Sequence, residues 1–127
     1  MPPAIQQPVA GAPGVYMVKK NMQHSGSTIK LRLGDELHIT VAVTNNYNYE
    51  WRDDGKHNKQ VLRHHSNGSF IAILPSGFVG PKSPGEMTIV YKAFGLGSTQ
   101  LNLKEAANTT YGQPSGLVWT ANIEVRK

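Results

Sequence analysis

From residue 28 the chain alternates apolar and polar positions. Ile29, Leu31 and Leu33 share one face, and after Gly34-Asp35 that face continues through Leu37, Ile39, Val41 and Val43. A period of two belongs to strands that bury one side, so residues 28–33 and 36–43 are predicted strands joined by a Gly-Asp turn. Thr44, Asn45, Asn46, Tyr47 and Asn48 then interrupt the pattern with residues that suit turns and tolerate a left-handed backbone. Tyr49 and Trp51 resume the alternation, which places both on the inner face of a strand over 49–53. A rigid ribbon therefore carries a short exposed loop.

The same period returns near the C-terminus. Met87, Ile89, Tyr91 and Ala93 lie on one face of a strand over 86–93, and Leu117, Trp119, Ala121, Ile123 and Val125 do so over 117–125. Between them Gly95-Leu96-Gly97-Ser98 is a turn feeding 99–104, where Leu101 and Leu103 alternate with Gln100 and Asn102. Weaker strand patterns cover 15–19, 60–65 and 70–74. Asp53-Asp54-Gly55 reads as a hairpin turn, and Asn67-Gly68 as a tight turn between His65 and Phe70. Ile39, Val41, Trp51, Ile89, Leu101, Trp119 and Ile123 are the expected core. No helix and no fixed-period repeat is predicted.

Short strands at regular spacing with 13 glycines and 8 prolines point to an all-β protein, an immunoglobulin-like antiparallel β-sandwich over residues 15–127. At 127 residues the chain is long enough for one core and too short for two. Residues 1–14 hold four prolines and two glycines and read as a flexible tail. That segment lacks the charged and apolar regions of a secretory signal as it stands. Removal of an earlier leader would make the mature protein secreted or periplasmic; a cytoplasmic location is the alternative.

Charge and side-chain chemistry narrow the function. The net charge is +5, yet the basic residues are dispersed and form no block typical of nucleic-acid arms. No apolar stretch approaches the ~20 residues that span a bilayer. With no cysteine there is no disulfide, no thiolate metal site and no cysteine nucleophile. His64-His65 would point to opposite faces of a strand and cannot easily share an ion, so no metal is expected. The carboxylates, serines and histidines show no nucleophile elbow, phosphate loop or paired-carboxylate spacing, and the protein is read as a non-enzyme without a cofactor. Asn67-Gly68-Ser69 and Asn108-Thr109-Thr110 match glycosylation acceptors.

Three loops exceed what connection requires: residues 44–48, 75–85 and 105–116. Long loops on a rigid sandwich are where binding usually resides. Tyr47 and Tyr111 are the aromatic side chains in these loops with no obvious packing role.

From 28 to 125 the chain resembles the chagasin-like inhibitors of papain-like cysteine peptidases. In that family a strand, a Gly-acidic turn and a second strand lead into an Asn-Pro-Thr-Thr-Gly loop followed by aromatic-x-Trp. Here stand Gly34-Asp35 and then Asn48-Tyr49-Glu50-Trp51, with the same spacing from turn to loop end. The strand over 86–93, the turn at Gly95 to Gly97, Leu101-Asn102-Leu103 and the strand from Trp119 to Val125 follow in the family's order. Residues 44–48 replace the family's first loop motif, with Asn48 where the family has Gly. Lys104, Glu105 and Ala106 stand where it has Arg-Pro-Trp. The resemblance implies a monomeric, reversible inhibitor that wedges three adjacent loops into the cleft of a papain-like peptidase. Its contact residues would be Thr44, Asn45, Asn46, Tyr47, Asn48, Gly80, Pro81, Lys82, Lys104, Glu105 and Tyr111. The alternative is a structural or adhesive immunoglobulin-like module that presents the same loops to a protein or glycan and inhibits nothing.

Overall fold

The computed structural model describes residues 6–9, 12–72 and 84–127. Among these, the strands are β1 (Gln6–Val9), β2 (Ala12–Asn21), β3 (Ser27–Arg32), β4 (Glu36–Val43), β5 (Tyr49–Asp53), β6 (Leu62–Asn67), β7 (Ile71–Ala72), β8 (Gly85–Ala93), β9 (Gly97–Ala107) and β10 (Val118–Arg126). A 3-10 turn at Met22–His24 separates β2 from β3. One sheet runs β1-β2-β4-β8-β6, with β7 also on β8, and the other runs β3-β10-β9-β5. Two sheets face to face make the immunoglobulin-like sandwich that the alternation implies. Most pairs are antiparallel, but each sheet holds one parallel pair, β2 with β4 and β3 with β10.

The core is the inner face of the alternating strands. Ile39, Val41, Leu101, Trp119 and Ile123 are fully buried, and Trp51 and Ile89 are buried with them. Each such side chain contributes roughly 1.5 to 3 kcal/mol relative to exposure, which holds the sheets together without disulfides. The two indoles also bridge elements through their single polar atom. Trp51 Nε1 donates to the Ala42 carbonyl at 2.9 Å, joining β5 to β4 across the sheets. Trp119 Nε1 donates to the Asn21 carbonyl at 2.9 Å. Leu33, by contrast, sits in the β3–β4 turn beyond the last ladder position and is exposed.

Three sequence expectations change. Gln6–Val9 and the start of β2 pair in the first sheet, although both fall in the stretch read as a tail. Pro8 lies on the edge strand and beside a register shift, the two settings in which a sheet accepts proline. Asn67-Gly68 makes no hairpin. Asn67 pairs with Ile89, Gly68 N donates to the Thr88 carbonyl at 2.7 Å, and Ile71 pairs with Glu86, so the chain continues along one edge of β8. The surplus residue is absorbed by a bulge between His64 and Ser66. Asp53-Asp54-Gly55 is a turn but not a hairpin, since β5 and β6 belong to different sheets. The two aspartates close it on themselves: Asp53 Oδ1 accepts from Gly55 N and Asp54 Oδ1 from Lys56 N, each at 2.9 Å. Hydrogen bonds from Lys56 and Asn102 lower the Asp54 pKa below the usual carboxylate range.

Candidate functional site

Strand pairing decides which loops meet. Loop 44–48 leaves β4 in one sheet and enters β5 in the other. Tyr49, the first residue of β5, pairs with Ala107, the last of β9. The exit of the first loop and the entry of the loop at 108–117 are therefore neighbours on one ladder. The segment between β7 and β8 starts and ends beside them, because Ala72 pairs with Gly85 and Gly85 with Val43, the residue before the first loop. Gly85 lets these chains approach so closely: a Cβ there would lie 2.2 Å from the Ile71 carbonyl oxygen and 2.6 Å from the Phe70 ring. Gly80, Pro81 and Lys82 lie outside the described residues.

Within the first loop, Asn45 shapes the backbone. Its Oδ1 accepts from Tyr47 N at 3.1 Å and from Asn48 N at 2.7 Å, a side-chain turn that stands in for a backbone one. Asn45 is buried, so its role is to shape the loop rather than to touch a partner. Asn48 does not take the left-handed backbone expected where the family has glycine; among the described residues only glycines have positive φ. The Asx turn bends the chain without it.

The loop is also tied to its neighbour. Asn108 N donates to the Asn48 carbonyl at 2.9 Å, and Asn108 Nδ2 donates to the Tyr47 carbonyl at 2.7 Å. Thr44 N donates to Glu105 Oε2 at 2.8 Å and Thr44 Oγ1 to Glu105 Oε1 at 2.5 Å. Glu105 is completely buried, which removes it as a contact residue. Its phase explains why. Leu101, Leu103 and Glu105 are alternate residues of β9 and all face inward, so the carboxylate occupies a position the pattern reserves for an apolar side chain. That phase was the available signal in the sequence.

Part of the expected contact set remains exposed. Thr44 and Asn46 are exposed, Tyr47 is 60% exposed and Tyr111 is 94% exposed, while Lys104 projects outward on β9. Tyr47, on a tethered backbone, offers large contact area with few rotatable bonds, and Tyr111 adds a second exposed ring. Asn108, which the sequence suggested only as a glycosylation acceptor, serves instead as the brace between the loops.

Away from these loops, His64 in β6 pairs with Tyr91, and His65 is the surplus residue of the bulge, so the two histidines do not lie on a regular alternating strand. His64 Nε2 lies 2.7 Å from Asn67 Oδ1, and its ring meets Tyr91 edge-on. Among the described residues no cluster of histidine, aspartate and glutamate suited to a metal ion occurs. No helix among them is long and apolar enough to cross a membrane.

The two-sheet sandwich is a fold that this chain shares with a solved cysteine protease inhibitor. Among solved structures, the chain is similar to the cysteine protease inhibitor EhICP2 from Entamoeba histolytica, with a TM-score of 0.72 and 17% identity over 91% of this chain and 100% of the inhibitor. It is also similar to amebosin, with a TM-score of 0.56 and 17% identity over 87% of this chain and 97% of that one. These likenesses establish the fold. No protein-family model and no curated protein sequence matches the chain.

Proposed function

We propose that this protein is a reversible inhibitor of papain-like cysteine peptidases that inserts its loops at 44–48, 73–84 and 108–117 into the active-site cleft. The observation that carries the reading is the bracing of the first loop against the third, which presents Tyr47 on a backbone fixed from both sides. Loops ordered before binding lose less conformational entropy on association, which favours tight binding without any covalent step. The inhibitor EhICP2, of like fold, supports the same reading. The contact set is Thr44, Asn46, Tyr47, Asn48, Lys104 and Tyr111, with Gly80, Pro81 and Lys82 contributed by the central loop.

Titration into a panel of papain-like peptidases with a fluorogenic peptide substrate tests this. Stoichiometric, reversible loss of activity in at least one is expected, with the protein recovered uncut. Absence of inhibition across the panel would overturn the proposal in favour of a binding module that inhibits nothing. The replacement of Arg-Pro-Trp by Lys104, Glu105 and Ala106 is the feature that favours that second reading.

A further inference from the structure

Glu105 is a carboxylate with no exposure, and it takes part in no ion pair among the described residues. Burying such a group is costly unless hydrogen bonds compensate, and a leucine at this position would bury apolar surface without that cost. Stability alone therefore does not account for a glutamate where the strand pattern calls for leucine. Both of its oxygens are engaged by one residue, Thr44, through the backbone N–H and the hydroxyl. Thr44 is the first residue after β4, the point where the chain leaves one sheet for the other.

We propose that Glu105 is a positioning residue whose buried carboxylate clamps Thr44 and so sets the path of the loop that presents Tyr47. This rests on the inhibitor reading for its functional consequence, and on the fold alone for its structural one. Two charge-assisted bonds from one residue fix both the position and the direction of the departing chain. The Asn45 turn and the Asn108 brace then act on a backbone whose origin is already placed. Without the clamp the loop samples other paths, and affinity falls by the fraction of molecules that keep the competent one.

The test compares Glu105→Leu, Glu105→Gln and Thr44→Val with the parent, reading melting temperature, peptidase inhibition and amide hydrogen exchange at Tyr47 and Asn48. Glu105→Leu gains apolar burial but leaves the Thr44 donors without their acceptor, so it should melt within a few degrees of the parent, yet inhibit about tenfold less well, corresponding to a competent fraction near one in ten. Exchange at Tyr47 and Asn48 should quicken in the free protein. Glu105→Gln should preserve both readouts, because its oxygen can accept from Thr44 N–H while its amide donates to the hydroxyl oxygen. Thr44→Val should show part of the loss and add little to Glu105→Leu, since the pair acts as one unit. A folded Glu105→Leu protein with parental exchange and parental inhibition overturns the clamp. If the parent inhibits nothing, the inhibitor reading fails, and exchange alone then decides the clamp: quickened exchange supports it, parental exchange overturns it. If Glu105→Leu fails to fold, Thr44→Val decides in the same way, through exchange at Tyr47 and Asn48.

Discussion

The Tyr91 hydroxyl donates to Asp53 Oδ2 at 2.7 Å, joining β8 of one sheet to the end of β5 in the other. Tyr91 is almost fully buried, and burial together with this bond raises its pKa well above the ordinary tyrosine value, so the phenol remains a donor at any physiological pH. Asp53 spends its other oxygen on Gly55 N, which makes the pair a clasp on the turn that crosses between the sheets.

Tyr91→Phe should therefore lower stability by about 1 to 3 kcal/mol, the usual cost of leaving a partly buried acceptor without its donor. Urea denaturation checks it. Unchanged stability would mean that solvent satisfies Asp53 equally well. Inhibition should not change, because β5 reaches the loops at Tyr49 and this clasp lies at its other end.

His57 meets the same ring edge-on, with centroids 5.6 Å apart. It is buried, and neither ring nitrogen has a hydrogen-bond partner among the described residues. Burial lowers its pKa from the ordinary 6.5, with Asp53 opposing the shift and Lys59 adding to it. The folded protein thus takes up this proton at lower pH than the unfolded chain does. Above about pH 6.5 both states are neutral and His57 adds no pH dependence; as pH falls below that value the unfolded chain gains protons first and stability declines. His57→Leu should reduce this acid slope in denaturation curves measured between pH 7 and 5. An unaltered slope would show that His57 does not contribute to it.

Gly85 stands at the foot of the central loop, where an added Cβ has no room on either side. Gly85→Ala should force Ile71 or Phe70 to move and cost about 1 to 3 kcal/mol, as overpacking does in a close-packed site. A thermal melt equal to the parent's would show that β7 can detach from β8 freely.

How much of this was legible depended on whether local pattern or pairing set the outcome. Both ends of β4 and β5 follow from the sequence because strict alternation and a polar interruption coincide there, and Trp51 is buried as its phase requires. The expected core residues are buried for the same reason. Asn67-Gly68 misleads because its turn chemistry is overridden by a bulge and by the waiting edge of β8. Asp53-Asp54-Gly55 does turn the chain, but no local feature says that the next strand joins the other sheet. β1 has no alternation to detect; its pairing is supplied by β2. In the site, Tyr47 and Tyr111 are exposed as their polar surroundings suggest. Glu105 and Asn45 are not, because counting them by loop membership ignored strand phase in one case and side-chain turn chemistry in the other.

Tyr47 and Trp51 lie four positions apart and separate binding from folding. Tyr47 is 60% exposed, and its hydrogen bonds among the described residues are made by its backbone, the N–H to Asn45 and the carbonyl from Asn108. Truncating the ring leaves those bonds intact, so Tyr47→Ala should melt within a degree or two of the parent. An aromatic side chain central to an interface typically contributes ~2 kcal/mol or more, and its loss should weaken inhibition by about 30-fold. Trp51 is 5% exposed, fills the core and holds the Ala42 carbonyl. Trp51→Ala should cost about 3 to 5 kcal/mol through lost burial and the cavity left behind. Its inhibition would fall only as the folded fraction falls. Measured side by side, the two variants should move opposite observables, one the inhibition constant and the other the melting temperature. Parental inhibition by a folded Tyr47→Ala protein would remove this ring from the contact surface and shift the search to Tyr111.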